Sequence, residues 1–250
     1  MIDPVLFLIA GAFLLAGFVK GVIGLGLPTV SMGLLATVMT PAQALAIVVI
    51  PAIATNIWQT FAGPYLRDIL RRLWPLLIGT VFGTWLGSGF MVEPYARYGT
   101  ITLGVMLIIY VAYSFRRIVF YVSQKHERWV GGIVGVITGL IAAATGVQVL
   151  PSMPYMQAIG MDKDELVQAL GLYFTVSVFA LAFNLSAVGL FTAATALPGI
   201  IAMVAAFAGM FTGQALRARM KPETFRIWFL CWLLLLGLYL AISGILKTLA

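Results

Sequence analysis

Lys20 ends a long, otherwise apolar run and directly precedes a glycine-rich, proline-ended interruption, Gly17-Phe-Val-Lys-Gly-Val-Ile-Gly-Leu-Gly-Leu-Pro28. An ionisable residue inside an apolar segment is a functional candidate by default, while a long side chain near a helix end also reaches toward the interface; both readings of Lys20 stand. Gly21, Gly24 and Gly26 let the backbone turn and expose N–H groups. Pro28 suits the first turn of a following helix, with Thr29 just behind it. Helix N-termini carry free N–H donors and partial positive charge, so this arrangement could hold an anion without covalent chemistry. A second interruption, Gly135-Val-Ile-Thr-Gly139 running on through Thr145, Gly146 and Gln148 to Pro151, is placed to do the same. The alternative for these glycines is that they only permit close helix packing.

Polar residues inside later apolar stretches add to the candidate site. Thr55, Asn56 and Gln59 lie in the first half, and Thr175, Ser177 and Asn184 in the second. Such groups are costly in lipid unless they face protein or a cavity. Asn56 and Gln59, three apart, share a helix face, and Trp58 is placed to wall the site. For any one of these residues, interhelical hydrogen bonding is an equal alternative.

The carboxylates Asp3, Asp68, Glu93, Glu127, Asp162, Asp164, Glu165 and Glu223 all fall at segment ends or in loops. Asp162, Asp164 and Glu165 read as the cap and first turn of a helix. A carboxylate proton relay is therefore poorly supported. No mid-segment histidine, carboxylate pair or metal-ligand cluster is visible, so the chain does not read as an enzyme and implies no cofactor or metal. His126 sits in a charged loop and reads as solvated. Cys231, the lone cysteine, lies in an apolar run; it cannot form an internal disulfide and reads as a small core residue.

The elements that must position these residues follow from composition. The chain is 62% hydrophobic and 9% charged, against about 25% charged in an ordinary soluble domain. The lipid bilayer is its expected environment, and the strong apolar signal per segment argues helices rather than barrel strands. The apolar pattern predicts segments at 4–23, 27–40, 42–62, 73–92 and 98–116, then 129–146, 148–160, 165–185, 193–215 and 226–246. The second segment of each set is short for a span, which needs about 20 residues. The expectation is an all-α polytopic membrane protein of two repeats, 1–122 and 123–250, each with about five apolar segments and with broken or re-entrant helices near the middle of the bilayer. Gly83-Thr-Trp-Leu-Gly87 matches Gly209-Met-Phe-Thr-Gly213, and Pro94 and Pro222 each precede a fifth segment. The Gly-xxx-Gly faces suit internal packing or a homodimer equally.

Charge sets orientation. The basic loops 63–72, 116–128 and 216–226 should be cytoplasmic, and the uncharged loop 186–192 should face out. Trp74, Trp129 and Trp228 each follow a basic loop, where an interfacial anchor belongs. Loop 63–72 and loop 186–192 hold corresponding positions in the two halves, so the halves are expected to be inverted about an axis in the membrane plane. Both termini then lie outside. Met1-Ile-Asp carries no basic region before its apolar run, which argues for a retained first segment over a cleaved signal peptide. The net charge of +7 is spread over short loops and makes no nucleic-acid patch.

The Gly17-to-Pro28 stretch, the segment after Thr40-Pro-Ala-Gln-Ala44, the stretch Gly135 to Pro151, the Asp162-Lys-Asp-Glu-Leu166 helix start and the closing Gly209-Met-Phe-Thr-Gly-Gln-Ala-Leu-Arg217 resemble the sulfite exporter TauE/SafE family of membrane transporters over nearly the whole chain. Ala142-Ala-Ala-Thr-Gly146 departs from the denser glycine cluster expected there. The resemblance implies export of small sulfur-containing anions such as sulfite or an organosulfonate, by a multi-pass protein of the cell inner membrane. An anion channel and an uptake transporter for another small anion are the alternatives. Lys20, Gly21, Gly24, Gly26, Thr29, Thr55, Asn56, Gln59, Thr145, Gly146, Gln148, Thr175 and Ser177 are the expected substrate contacts.

Overall fold

The computed structural model describes residues 4–24, 26–91, 98–116, 121–187, 189, 193–217 and 222–249. Asp3, Glu93, Pro94, Arg117, Arg219, Lys221 and most of loop 186–192, on which parts of the orientation and repeat readings rest, lie outside these residues. The described chain is helical, with no strand among the described residues. In order, the helices are α1 (Pro4–Ile23), α2 (Leu27–Leu35), α3 (Pro41–Phe61), α4 (Leu66–Leu86), α5 (Gly99–Arg116), α6 (Glu127–Thr145), α7 (Ser152–Ala158), α8 (Lys163–Ala187), α9 (Ala193–Arg217) and α10 (Pro222–Leu249), with one 3-10 turn at Ser88–Met91. Six of them, α1, α3, α5, α6, α8 and α9, are long and apolar enough to cross a membrane.

Local signals explain the boundaries. Thr40 and Gln43 form a reciprocal capping box with Pro41 in the first turn, which starts α3. Pro28 sits in the first turn of α2 behind Gly26. The short segments contract: 27–40 becomes the 9 residues of α2, and 148–160 the 7 residues of α7. At about 1.5 Å per residue neither crosses a hydrocarbon core of about 30 Å. The segment at 73–92 instead extends backward. α4 begins at Leu66, so Arg67, Asp68, Arg71 and Arg72 ride on its first turns rather than in a loop. Charges end an apolar window, but they do not end a helix whose first turns reach polar surroundings.

The closest packing joins α1 to α9 and α4 to α6, with α5 against α10 and α3 against α8. Glycine sets the first two pairings. A Cβ on Gly17, Gly21, Gly209 or Gly213 would collide with the carbonyl of Ala206, Met210, Leu14 or Phe18 respectively. On the other pair, Gly79, Gly83, Gly135 and Gly139 lie equally close to backbone of Gly132, Val136, Leu76 and Thr80. In both pairs residue numbers rise together, so the partners run parallel. The faces carrying Gly83–Gly87 and Gly209–Gly213 are thus spent on internal packing and are not open to a second copy.

Phe13, Leu27, Leu45, Leu73, Leu107 and Tyr173 are buried in the core, while Phe7, Ile78, Trp129, Phe183 and Leu235 are exposed on the outside. Large apolar side chains on both sides of the helices suit a protein surrounded by lipid. Cys231 is exposed, which corrects its reading as a core residue: an apolar run in a membrane helix has a lipid face as well as a packed one. His126 is exposed at the start of α6.

Candidate functional site

The last turn of α1 presents Lys20 to the side of α3, and the Lys20 residue is only 5% exposed. Its Nζ donates to Thr55 Oγ1 at 3.0 Å and to Asn56 Oδ1 at 2.5 Å. The side chain is thus turned into the bundle and does not reach for an interface. Thr55 gives its own proton to the Pro51 carbonyl at 2.8 Å, so it can only accept from the lysine. The Asn56 Nδ2 is buried and has no hydrogen-bond partner. An ammonium has three protons, two of which are committed to these acceptors. Among the described residues the only ion pair is Arg72–Glu127, so no carboxylate neutralises Lys20. Protonated, Lys20 keeps one ammonium hydrogen without a partner, next to an Asn56 amide that also has a donor to spare. A small oxyanion supplies what both lack.

The break beside this group is built from glycine. The Gly24 N–H donates to the Lys20 carbonyl at 2.7 Å and closes α1. Gly24 and Gly26 take φ of 91° and 105°, which L side chains rarely adopt. Gly21 stays inside α1, buried against Met210, and does not take part in the turn. Thr29 is buried in the first turn of α2. Gln59 pins the break in place: its Nε2 donates to the carbonyls of Gly24 at 3.2 Å and Val167 at 2.7 Å. Asn56 and Gln59 do share the buried face of α3. Trp58 does not wall the site. It is 57% exposed, because two residues past Asn56 is about 200° around the helix.

The second break has related geometry at a separate place. Thr145 gives its hydroxyl proton to Ile141 O at 2.7 Å and accepts from the Val147 N–H at 3.1 Å. Gly146 follows with φ 72°, against Met32 and Leu45. Gln148 is buried with both side-chain amide atoms unpartnered. Among the described residues no hydrogen bond joins Thr145, Gly146 or Gln148 to the Lys20 group. Thr175 lies 3.2 Å from Thr60 across the α3–α8 contact, and the Ser177 hydroxyl is buried without a partner. Asn184 donates to the Thr84 carbonyl at 2.5 Å and ties α8 to α4.

Two groups had no signal in the sequence. Gln168 donates to the carbonyls of Thr60 and Gly63 at 2.8 and 2.7 Å and accepts from the Tyr65 N–H at 2.9 Å, fixing the α3–α4 turn. Tyr173, fully buried on α8, places its hydroxyl among those of Thr80, Thr138, Ser152 and Ser177. A tyrosine in an apolar run reads as core, and the four hydroxyls come from four different helices. At one end of the molecule, Arg72 grips Glu127 through two hydrogen bonds, at 2.9 and 2.7 Å, and also donates to Ile159 O. Tyr155 donates to the Glu127 carbonyl at 2.8 Å, which attaches α7 to the same point.

A model of the sulfite exporter TauE/SafE family matches residues 9–240. No curated protein matches the chain, and no solved structure does.

Proposed function

The chain belongs to the sulfite exporter TauE/SafE family of membrane transporters, and on that premise we propose that it exports small sulfur-containing anions, sulfite or an organosulfonate, by alternating access across the cell inner membrane. The observation that carries this reading is the Lys20 ammonium, buried between α1 and α3 with neutral partners and no carboxylate. A charge so placed is expensive in a membrane protein. A site that lowers that cost only when an anion arrives is a selective one. Sulfite and sulfonate oxygens accept from the spare Lys20 proton and from Asn56 Nδ2, while the Gly24–Gly26 break lets the path to them bend. An anion leaving a negative-inside cell gains about 2.3 kcal/mol per charge per 100 mV, enough to drive export without a carboxylate relay.

The packing supports two inverted repeats, 1–122 and 123–250. α1 pairs with α9 as α6 pairs with α4, and α3 meets α8 as α5 meets α10. Gly209 against Leu14 has its counterpart in Gly83 against Val136, and Gly213 against Phe18 in Gly87 against Leu140. Gly24 nears Val167 as Gly146 nears Leu45. In this register Gly17 corresponds to Gly139. Thr55 corresponds to Ser177, and Lys20 to Ala142. The site is thus charged in one half only. α2 and α7 are the half-spanning pieces on which access would alternate.

The test is flux of sulfite and an organosulfonate in proteoliposomes with an imposed potential, comparing the native protein with Lys20→Ala. Saturable flux that follows the potential and falls in the variant supports the reading. Flux that does not saturate turns it toward a channel, and absence of flux for any anion removes the assignment.

A further inference from the structure

We propose that the hydroxyl cluster around Tyr173 is a binding site for a dehydrated monovalent cation, loaded in the same transport cycle as the anion. The cluster draws on four helices: Thr80 from α4, Thr138 from α6, Ser152 from α7, and Tyr173 with Ser177 from α8. Each of the five residues is 0% exposed. Thr80 gives its proton to Leu76 O at 2.8 Å, Thr138 to Val134 O at 2.7 Å and Ser152 to Gln148 O at 2.7 Å. Those three oxygens face the cluster with lone pairs only. The Tyr173 and Ser177 hydroxyls meet no partner in hydrogen-bond geometry. A hydroxyl has one proton and two lone pairs, so the group is rich in acceptors and short of donors. An anion would meet lone pairs there. A hard cation takes oxygen ligands, and a monovalent one needs no anionic oxygen among them.

The Lys20 site shows the same chemistry with its cation built in. Thr55 also spends its proton on a carbonyl and turns its lone pair to the ammonium. On the repeat reading given above, Ser177 stands where Thr55 does, while Ala142, 0% exposed, supplies no charge of its own. A mobile cation would restore the missing charge. α3 and α8 touch through Thr60 and Thr175, so a cation held on α8 would attract an anion held beside α3.

The coupling to transport rests on the proposed exporter role, but cation binding can be measured without it. The purified protein is melted in detergent with choline chloride replaced stepwise by NaCl, KCl or LiCl at constant ionic strength. The expected result is a saturable rise in Tm with one of these cations. Thr138→Val and Ser177→Ala should raise the half-saturating concentration by about tenfold, as loss of one buried ligand implies, while Thr138→Ser and Lys20→Ala keep the response. No saturable rise with any of the three salts overturns the proposal and leaves a site for water. So does a response that persists unchanged in both hydroxyl-deleting variants. If those variants do not fold, radioactive sodium binding to the native protein, competed by the other two cations, decides in their place. Failure of sulfite flux alone would leave this titration intact and remove only the coupling.

Discussion

Lys20 Nζ lies 2.5 Å from Asn56 Oδ1, and the other end of the same amide, Asn56 Nδ2, has nothing to donate to. The lysine fixes which way the amide points. It thereby leaves the donor end of the amide unused beside its own ammonium. Lys20→Met should test the division of labour between charge and packing. It removes a costly buried charge but strands Asn56 Oδ1, and an unsatisfied buried acceptor costs about 1–3 kcal/mol. The two effects oppose each other, so Tm should move little, while sulfite flux should fall at least about tenfold, or 1.4 kcal/mol in transition-state terms. Lys20→Met with native flux would take the lysine out of the site.

Asn56→Asp places a carboxylate beside the ammonium. The pair would neutralise itself, and anion flux should drop although the helix contact survives. Asn56→Leu should also lose flux. A difference between the two in half-saturating sulfite, with Asp the weaker binder, would separate electrostatic exclusion from loss of a donor.

Glycines that look alike in the sequence should respond differently. Gly17→Ala and Gly139→Ala press a methyl into a facing carbonyl, and overpacking of this kind costs about 1–3 kcal/mol. Gly132→Ala meets nothing within 4 Å and should be neutral or stabilising by up to about 1 kcal/mol, the helix-propensity gain over glycine. Thermal melts of the three variants in one detergent check this ranking.

Gly26→Ala forces an L side chain to φ 105° at the residue preceding α2, at a cost of about 1–2 kcal/mol. The strain falls on the break itself. Flux should therefore fall more than the change in Tm would suggest, and Gly11→Ala, with open space around it, should leave both unchanged.

Orientation is open to chemical labelling. In a Cys231→Ser background, Lys125→Cys should react with a membrane-impermeant thiol reagent only after the cells are opened. Gly189→Cys should react from outside. Labelling of both positions from one side would rule out the inverted arrangement.

Much of the architecture was legible because it depends on hydropathy alone. The first segment was read at 4–23, and α1 covers those residues. What required tertiary structure stayed hidden. Lys20 and Asn56 are 36 positions apart, and nothing in either local pattern announces the other. Trp58 went astray because adjacency in sequence was read as adjacency in space. Tyr173 was missed for a different reason: its apolar neighbours are genuine, and only the tip of the ring is polar.

The glycine contact between α1 and α9 also bears on how the chain is made. Gly17 can meet Ala206 only after roughly 190 further residues have been synthesised, which at 5–20 residues per second is a wait of about 10–40 s. Throughout that time α1 sits in the bilayer with its small-residue face uncovered, although its lysine can already meet α3. The same delay is far shorter for α4 and α6, whose partners emerge close together. Assembly would therefore begin at α4–α6 and finish when the ninth helix closes on the first, so late truncations should leave a long-lived intermediate in which α1 is exposed to quality-control proteases.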